Sequence, residues 1–288
     1  MIGGFVPAYK PSGMGSSQLV GKLKRHLNAD RVGHAGTLDR FADGLVLLIV
    51  GKSTCFSDFF LHGDKRYTAT FTFGRSTETH DPEGETVAER SERDAIDFVN
   101  TRKVEIAKWI EDLTAVTVQT PPLYSALKKD GKRYSDRART GITELPPSRS
   151  VQIYEARFTG SSANAISAEF AVSGGTYIRS FARDLGQKFG FPVHLSRLTR
   201  TAIGTFLLNE DCWRVEETAR IIPPHEILKW PRVLASRAES DAIGHGQTPK
   251  LRMPESGQFA WIVDSADSPV AWVELLDFGL YKVRRVFL

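Results

Sequence analysis

Six consecutive apolar residues, Leu45 to Val50, follow directly on a polar, glycine-rich stretch, GHAGTLDRFADG, running from Gly33 to Gly44. A short apolar run bounded by turn residues reads as a buried strand, so the polar stretch is a loop ending against the core. Within that loop Asp39 is the one group able to act as nucleophile or base without help. His34 lies upstream, Asp43 downstream, and Gly33, Gly36 and Gly44 are free to take backbone angles closed to other residues. A carboxylate in a surface turn is the plainer alternative. The rest of the chain decides between them.

At 288 residues the chain is long enough for a full core, in one large domain or two. A hydrophobic fraction of 41% with 25% charged residues belongs to an ordinary soluble globular protein. The formal charge of +4 suits a polyanionic partner without requiring one. Two cysteines, Cys55 and Cys212, leave no disulfide framework and no paired-cysteine zinc pattern, which points to a reducing compartment. With no signal-like start and no apolar run of membrane-spanning length, the expected location is the cytoplasm, without membrane contact.

Pro7 to Ser17 reads as a loop in which Ser16 or Ser17 caps a helix carrying Leu19, Val20, Leu23 and Leu27 on its core face. Lys22, Lys24, Arg25 and His26 make the other face basic, either solvated or in contact with phosphate. GKST, Gly51 to Thr54, lacks the earlier glycine of a phosphate-binding loop, since position 46 is Val. Tyr67 to Phe73 alternates as a half-buried strand, Arg75 to Glu92 reads as a loop, and Asp94 to Leu113 is helical. From Tyr124 to Arg149, Lys128, Lys129, Lys132, Arg133, Arg137, Arg139 and Arg149 outnumber the acids, with Tyr124 and Tyr134 interleaved. Such a mixture suits RNA loops, and a merely solvated surface is the alternative. Ile166 to Val172 alternates as another strand. Thr176 is placed to cap a helix that ends at Gly190, and Arg179 falls in its first turn. A cation there opposes the helix dipole, which an anion such as Asp39 or an RNA phosphate would relieve. Leu195 to Phe206 bends into a further strand. Short β segments at 261–263, 270–276 and 281–288 suggest a small C-terminal β domain.

Taken together, the segments resemble one family, the bacterial TruB-type tRNA pseudouridine synthases. The matches are KPSG at Lys10 to Gly13, GHAGTLD at Gly33 to Asp39, DKRY at Asp64 to Tyr67, QTPPLYSALK at Gln119 to Lys128, GGTYIRSFARDLG at Gly174 to Gly186, and the Leu198, Arg200, Gly204, Phe206 pattern. They are collinear over roughly residues 5 to 210.

The resemblance implies an α+β pseudouridine synthase fold, with a central, mainly antiparallel sheet flanked by helices and a small PUA-like β domain behind it. The implied catalytic domain spans 1–230, with an RNA-gripping insertion at about 124–150, and the RNA-binding domain spans 231–288. The implied reaction is isomerisation of uridine 55 in the tRNA T-loop, without cofactor or metal, by an enzyme working as a monomer with no required protein partner. Asp39 is implied as nucleophile, attacking either the uracil ring or the ribose anomeric carbon, with Arg179 paired to it. Tyr67 is implied to stack on the base and is a candidate general base, while Tyr177 and Leu198 line the uracil slot. His34 holds the RNA loop from which the base has flipped, and Lys10 belongs to the same substrate-binding set. The chain departs from the family pattern at Arg40, Phe41, Asp43, Gly15 and Ala115, none of them a catalytic position. Two other functions compete. One is an RNA-binding or RNA-folding protein without essential turnover, and the other a dyskerin-like synthase directed by guide RNA.

Overall fold

The computed structural model describes residues 3–288 and turns the apolar run into a nine-residue strand, Asp43–Gly51, buried from Gly44 to Val50. Alternate side chains of a strand point to opposite faces, so an uninterrupted apolar run needs a core on each side. Both cores are present. Val46, Leu48 and Val50 pack with Leu19, Leu23 and Phe71, whereas Leu45, Leu47 and Ile49 pack with Phe5, Phe56 and Trp261.

In chain order, β1 (Gly3–Lys10) and α1 (Ser16–His26) lead through β2 (Val32–His34) into this central strand, β3. Helix α2 (Ser57–Leu61), β4 (Lys65–Phe73), a hairpin of β5 (Arg75–Thr77) and β6 (Thr86–Glu89), and the long helix α3 (Glu92–Asp112) follow. The basic insertion and its base comprise β7 (Val118–Gln119), β8 (Lys128–Lys129), β9 (Lys132–Arg133), α4 (Tyr134–Arg139) and β10 (Arg149–Ser150). Then come β11 (Ile153–Ser162), β12 (Ala165–Val172), α5 (Ile178–Phe189), β13 (Val193–Ile203) and β14 (Phe206–Leu207). The main sheet has the order β1-β3-β13-β4-β12-β11, with β2 added on β3 and β14 on β13. Every pairing is antiparallel except β13 on β3, as the α+β expectation requires.

That one parallel contact positions the site. It sets Arg200 beside Gly44, with the backbones so close that a Cβ on Gly44, at φ +108°, would lie 2.4 Å from the Arg200 carbonyl oxygen. Only glycine fits there.

Four local expectations change. Pro7 to Lys10, read from sequence as the start of a loop, instead complete β1, paired residue by residue with Gly44 to Leu47 of β3. Gly15, not Ser16 or Ser17, caps α1, because the Ser16 hydroxyl is taken by the backbone of Leu38. Thr176 does not cap α5: Tyr177 occupies that place, and its N–H is satisfied by Gln119 from β7. The segment from Arg75 to Glu92 is a hairpin rather than plain loop, and its turn carries Glu78, Asp81 and Glu83 towards the site. The helix end at Gly190 is as expected, with φ 63° in the left-handed region.

Beyond α6 (Pro224–Ile227), a second sheet is built from β15 (Arg232–Leu234), β16 (Phe259–Val263), β17 (Pro269–Leu275) and β18 (Tyr281–Val286), with α7 (Arg237–Gly244) between its first two strands. Strands β16 to β18 match the three expected β segments. The three-residue β15 and the eight-residue α7 carry too little periodicity to be read from sequence. This sheet has its own apolar cluster, yet it also shares one with the main sheet, where the Trp261 ring lies 5.6 Å from Phe56. Among the described residues, no helix is long and apolar enough to cross a membrane.

Candidate active site

Asp39 stands between β2 and β3 in a stretch without regular structure, so something other than a ladder must hold it. Three buried side chains do so. Arg200 donates from Nε to the Leu45 carbonyl at 2.7 Å and from its terminal nitrogens to Gly36 at 3.1 Å and Thr37 at 3.3 Å. Lys10 Nζ lies 2.5 Å from the Ala42 carbonyl, 2.8 Å from Met14, 3.1 Å from Pro11 and 3.3 Å from Arg40. The Ser16 hydroxyl both accepts from the Leu38 N–H and donates to its carbonyl, each at 3.0 Å. Every contact is to backbone, so the loop is fixed whatever its side chains do.

The Lys10 side chain is wholly buried and its ammonium donates to backbone carbonyls, so in this structure it positions the loop. Burial pushes its pKa down to about 8, against the pull of Asp43 and Asp39. Between about pH 8 and the ordinary lysine value of 10.5, the unfolded chain holds a proton that the folded state has shed, so linkage adds stability as pH rises. The difference Tm(wild type) minus Tm(Lys10→Met) is therefore expected to be constant below pH 7 and to rise from pH 8 to 10. A difference that falls over that range would contradict the assignment.

Arg179 meets Asp39 from the first turn of α5. Its Nε donates to Oδ2 at 2.8 Å and a terminal nitrogen to Oδ1 at 3.2 Å, a bidentate pair. The remaining donors reach the carbonyls of Thr79 at 3.1 Å and Tyr124 at 3.0 Å, with Asp81 Oδ2 3.3 Å away. The Arg179 and Asp81 side chains are 6% and 5% exposed, whereas Asp39 is 33% exposed, so only Asp39 of the three faces outward. Burial alone would lower the Arg179 pKa, but the two carboxylates outweigh it and hold the guanidinium above its ordinary value. The dipole argument from sequence thus finds its anion, and a second one. Asp81 is itself fixed, its Oδ1 accepting from the Thr79 hydroxyl at 2.5 Å and the Glu83 N–H at 3.0 Å.

These groups open into a cavity of about 950 Å³. Asp39, Tyr67, Tyr177, Arg179 and Leu198 all line it, so five of the residues singled out from sequence are brought together. Tyr67 reaches it from the inward row of β4 and Leu198 from β13. Tyr177 is held by a double amide bond, its N–H donating to Gln119 Oε1 at 2.8 Å and its carbonyl accepting from Nε2 at 3.1 Å. The Arg149 guanidinium stacks 4.8 Å from the Tyr177 ring and donates to the Gly175 carbonyl. His34 lies elsewhere, half-buried on β2 opposite Leu48, and is not among the residues lining the cavity. Burial, and then Arg200, lowers its pKa.

The basic insertion is divided. Arg133 and Arg139 line the cavity, and Lys128 and Lys132 are exposed. Lys129 and Arg137 are both bound to Glu144, and Arg139 pairs with Asp136 at 3.3 Å. Among the described residues, no cluster of three or more His, Cys, Asp or Glu side chains suited to a metal ion is found.

Residues 24–178, more than half of the chain, match the model of the TruB family pseudouridylate synthase N-terminal domain. The chain is 35% identical to tRNA pseudouridine synthase B of Leptospira interrogans serogroup Icterohaemorrhagiae serovar copenhageni, over 99% of its own length and 94% of that protein's. Identity to the tRNA pseudouridine synthase B of Bacillus anthracis is 34%, covering 94% and 92% of the two chains. For Haemophilus influenzae strain PittEE it is 32%, covering 96% and 92%. Among solved structures, the chain is similar to one in a Cbf5-Nop10-Gar1 complex, with a TM-score of 0.62 at 21% identity over 99% of this chain and 85% of that one. A likeness at that identity concerns the fold. Fold, cavity and family model together define a pseudouridylate synthase, an isomerase. Within that class, the chain belongs to the TruB family.

Proposed function

We propose that the protein converts uridine 55 in the T-loop of tRNA to pseudouridine, with Asp39 as nucleophile. The observation that carries this reading is the Asp39 carboxylate, held in a bidentate pair by Arg179 and open to a cavity lined by Tyr67, Tyr177 and Leu198. Pseudouridine differs from uridine in having the ribose C1′ bonded to C5 of the base instead of N1. The N1–C1′ bond must therefore break, the base must turn over in its slot, and the C5 proton must leave once the new bond has formed. A fixed carboxylate beside a cation suits the attack on the uracil ring or the ribose anomeric carbon. Tyr67, on the cavity wall, is placed to stack on the turning base and is the candidate to take the C5 proton. The base reaches the slot only by leaving the RNA stack, and His34 holds the emptied loop. The insertion grips the T-arm through Arg133, Arg139, Lys128 and Lys132. The C-terminal sheet, residues 231–288, serves as a PUA-like RNA-binding unit behind the catalytic domain. The enzyme works in the cytoplasm as a monomer without a required protein partner.

Incubation of the purified protein with an unmodified tRNA transcript, without added cofactor or guide RNA, is expected to give pseudouridine at position 55 on mapping. Binding with no product would favour an RNA-folding role. Product at another position alone would overturn the choice of nucleotide.

A further inference from the structure

A second depression, of about 650 Å³, adjoins the site on its far side, between the turn at residues 11–14 and the outer face of α1. Lys22 and Arg25 line it, and no carboxylate does. Helix α1 itself contains no acidic residue, while Lys24, Arg25 and His26 crowd its last turn. This distinguishes it from the insertion, where three of the bases are already bound to Glu144 or Asp136. The outer face of α1 thus carries cations without a carboxylate of its own to neutralise them.

Its place relative to Asp39 is fixed by hydrogen bonds. The Gly13 N–H donates to the Arg40 carbonyl at 2.8 Å, Arg40 Nε donates back to the Gly13 carbonyl at 3.0 Å, and the Ser12 hydroxyl donates to the Phe41 carbonyl at 2.6 Å. Arg40, the residue after the proposed nucleophile, lines the cavity, and Gly13 lines the groove. One rim therefore separates the two, with the mostly exposed Arg40 side chain lying across it, its Nε on the Gly13 carbonyl and its contact with the Glu83 carboxylate a loose 3.8 Å. That rim offers the flanking backbone of a strand that delivers one nucleotide into the cavity a route lined by cations.

We propose that the groove between the 11–14 turn and α1 is a phosphate track for the RNA strand flanking the flipped uridine, with Lys22, Arg25 and Arg40 as its cations. This rests on reading the cavity as the uridine site. Such contacts fix register and affinity without reading sequence. Each cation on a phosphate adds about 0.7 to 0.9 to the slope of log K against log salt.

The test compares wild type, Lys22→Gln with Arg25→Gln, and a control with Lys103→Gln and Lys108→Gln. The control removes the same charge from the exposed face of α3. Binding of an unmodified tRNA transcript is measured from 50 to 200 mM salt, with phosphate-ethylation interference mapped around position 55. The groove variant is expected to lose about 1.5 from the slope, to bind about tenfold more weakly at 100 mM salt, and to lose interference at phosphates flanking position 55. The control keeps all three properties of the wild type. A groove variant matching the control in slope and interference pattern would overturn the track. In that case, pseudouridine formed by the wild type at position 55 would leave the proposed function standing. Failure of the wild type to form it, with the slope difference intact, would instead remove that function and leave an RNA-binding groove.

Discussion

Asp39→Asn is expected to abolish pseudouridine formation, lowering the single-turnover rate by at least about 10⁴-fold, while tRNA affinity stays within about twofold of wild type. The amide has nearly the shape of the carboxylate but supplies no anionic oxygen for attack. The fold around it survives the change because Arg179 keeps Asp81 and the carbonyls of Thr79 and Tyr124. The backbone of the loop survives too, since Lys10, Ser16 and Arg200 hold carbonyls and an N–H rather than the Asp39 side chain. Rapid-quench assays with labelled tRNA, together with filter binding, separate the two quantities. Residual turnover above about 1% of wild type would place the nucleophile elsewhere, and a matching loss of affinity would make Asp39 a binding group.

What could be read from sequence follows the length of each pattern. Strand β4 declares itself through seven strictly alternating residues, Tyr67 to Phe73, and β3 through an unbroken apolar run that both cores then explain. Arg179 is legible because a cation in the first turn of a helix is locally unfavourable and so asks for an anion. Asp81 is not legible in that way. It sits in a polar segment rich in Glu78, Glu83 and Glu85, and nothing local distinguishes a buried carboxylate from solvated ones. The run HDPEGE, His80 to Glu85, marks the segment as acidic but not which of its carboxylates is buried. Lys10 and Arg200 fail to show for a related reason. Sequence reasoning gives a buried cation a carboxylate or phosphate partner, whereas these two are satisfied chiefly by backbone carbonyls that meet only in the folded chain. Likewise the bases of the insertion look alike in sequence, and only the structure separates those bound to Glu144 from those left exposed.

Arg200 carries the largest expected effect on stability. Replacing it by Met keeps most of the side-chain volume but strips donors from the carbonyls of Leu45, Gly36 and Thr37 at a position 1% exposed. The Leu45 acceptor is buried, whereas water can reach those of Gly36 and Thr37. An acceptor left without a partner costs about 1 to 3 kcal/mol when buried and less when hydrated, so Arg200→Met is expected to lose about 2 to 4 kcal/mol in urea unfolding. Activity should fall further than stability alone explains. Gly36 and Thr37 precede Asp39 by two or three residues, and a displacement of about 1 Å at a reacting group costs about 10²-fold in rate. Measured at a temperature where the variant is fully folded, its single-turnover rate is therefore expected to drop by about that factor, with tRNA affinity less affected. Arg200→Lys separates charge from geometry. A lysine restores the cation but not the planar fork that reaches three carbonyls at once, so it should recover more of the stability than of the rate. Equal recovery of both would mean that Arg200 acts through its charge. Stability within about 1 kcal/mol of wild type in Arg200→Met would mean that the loop is held without it.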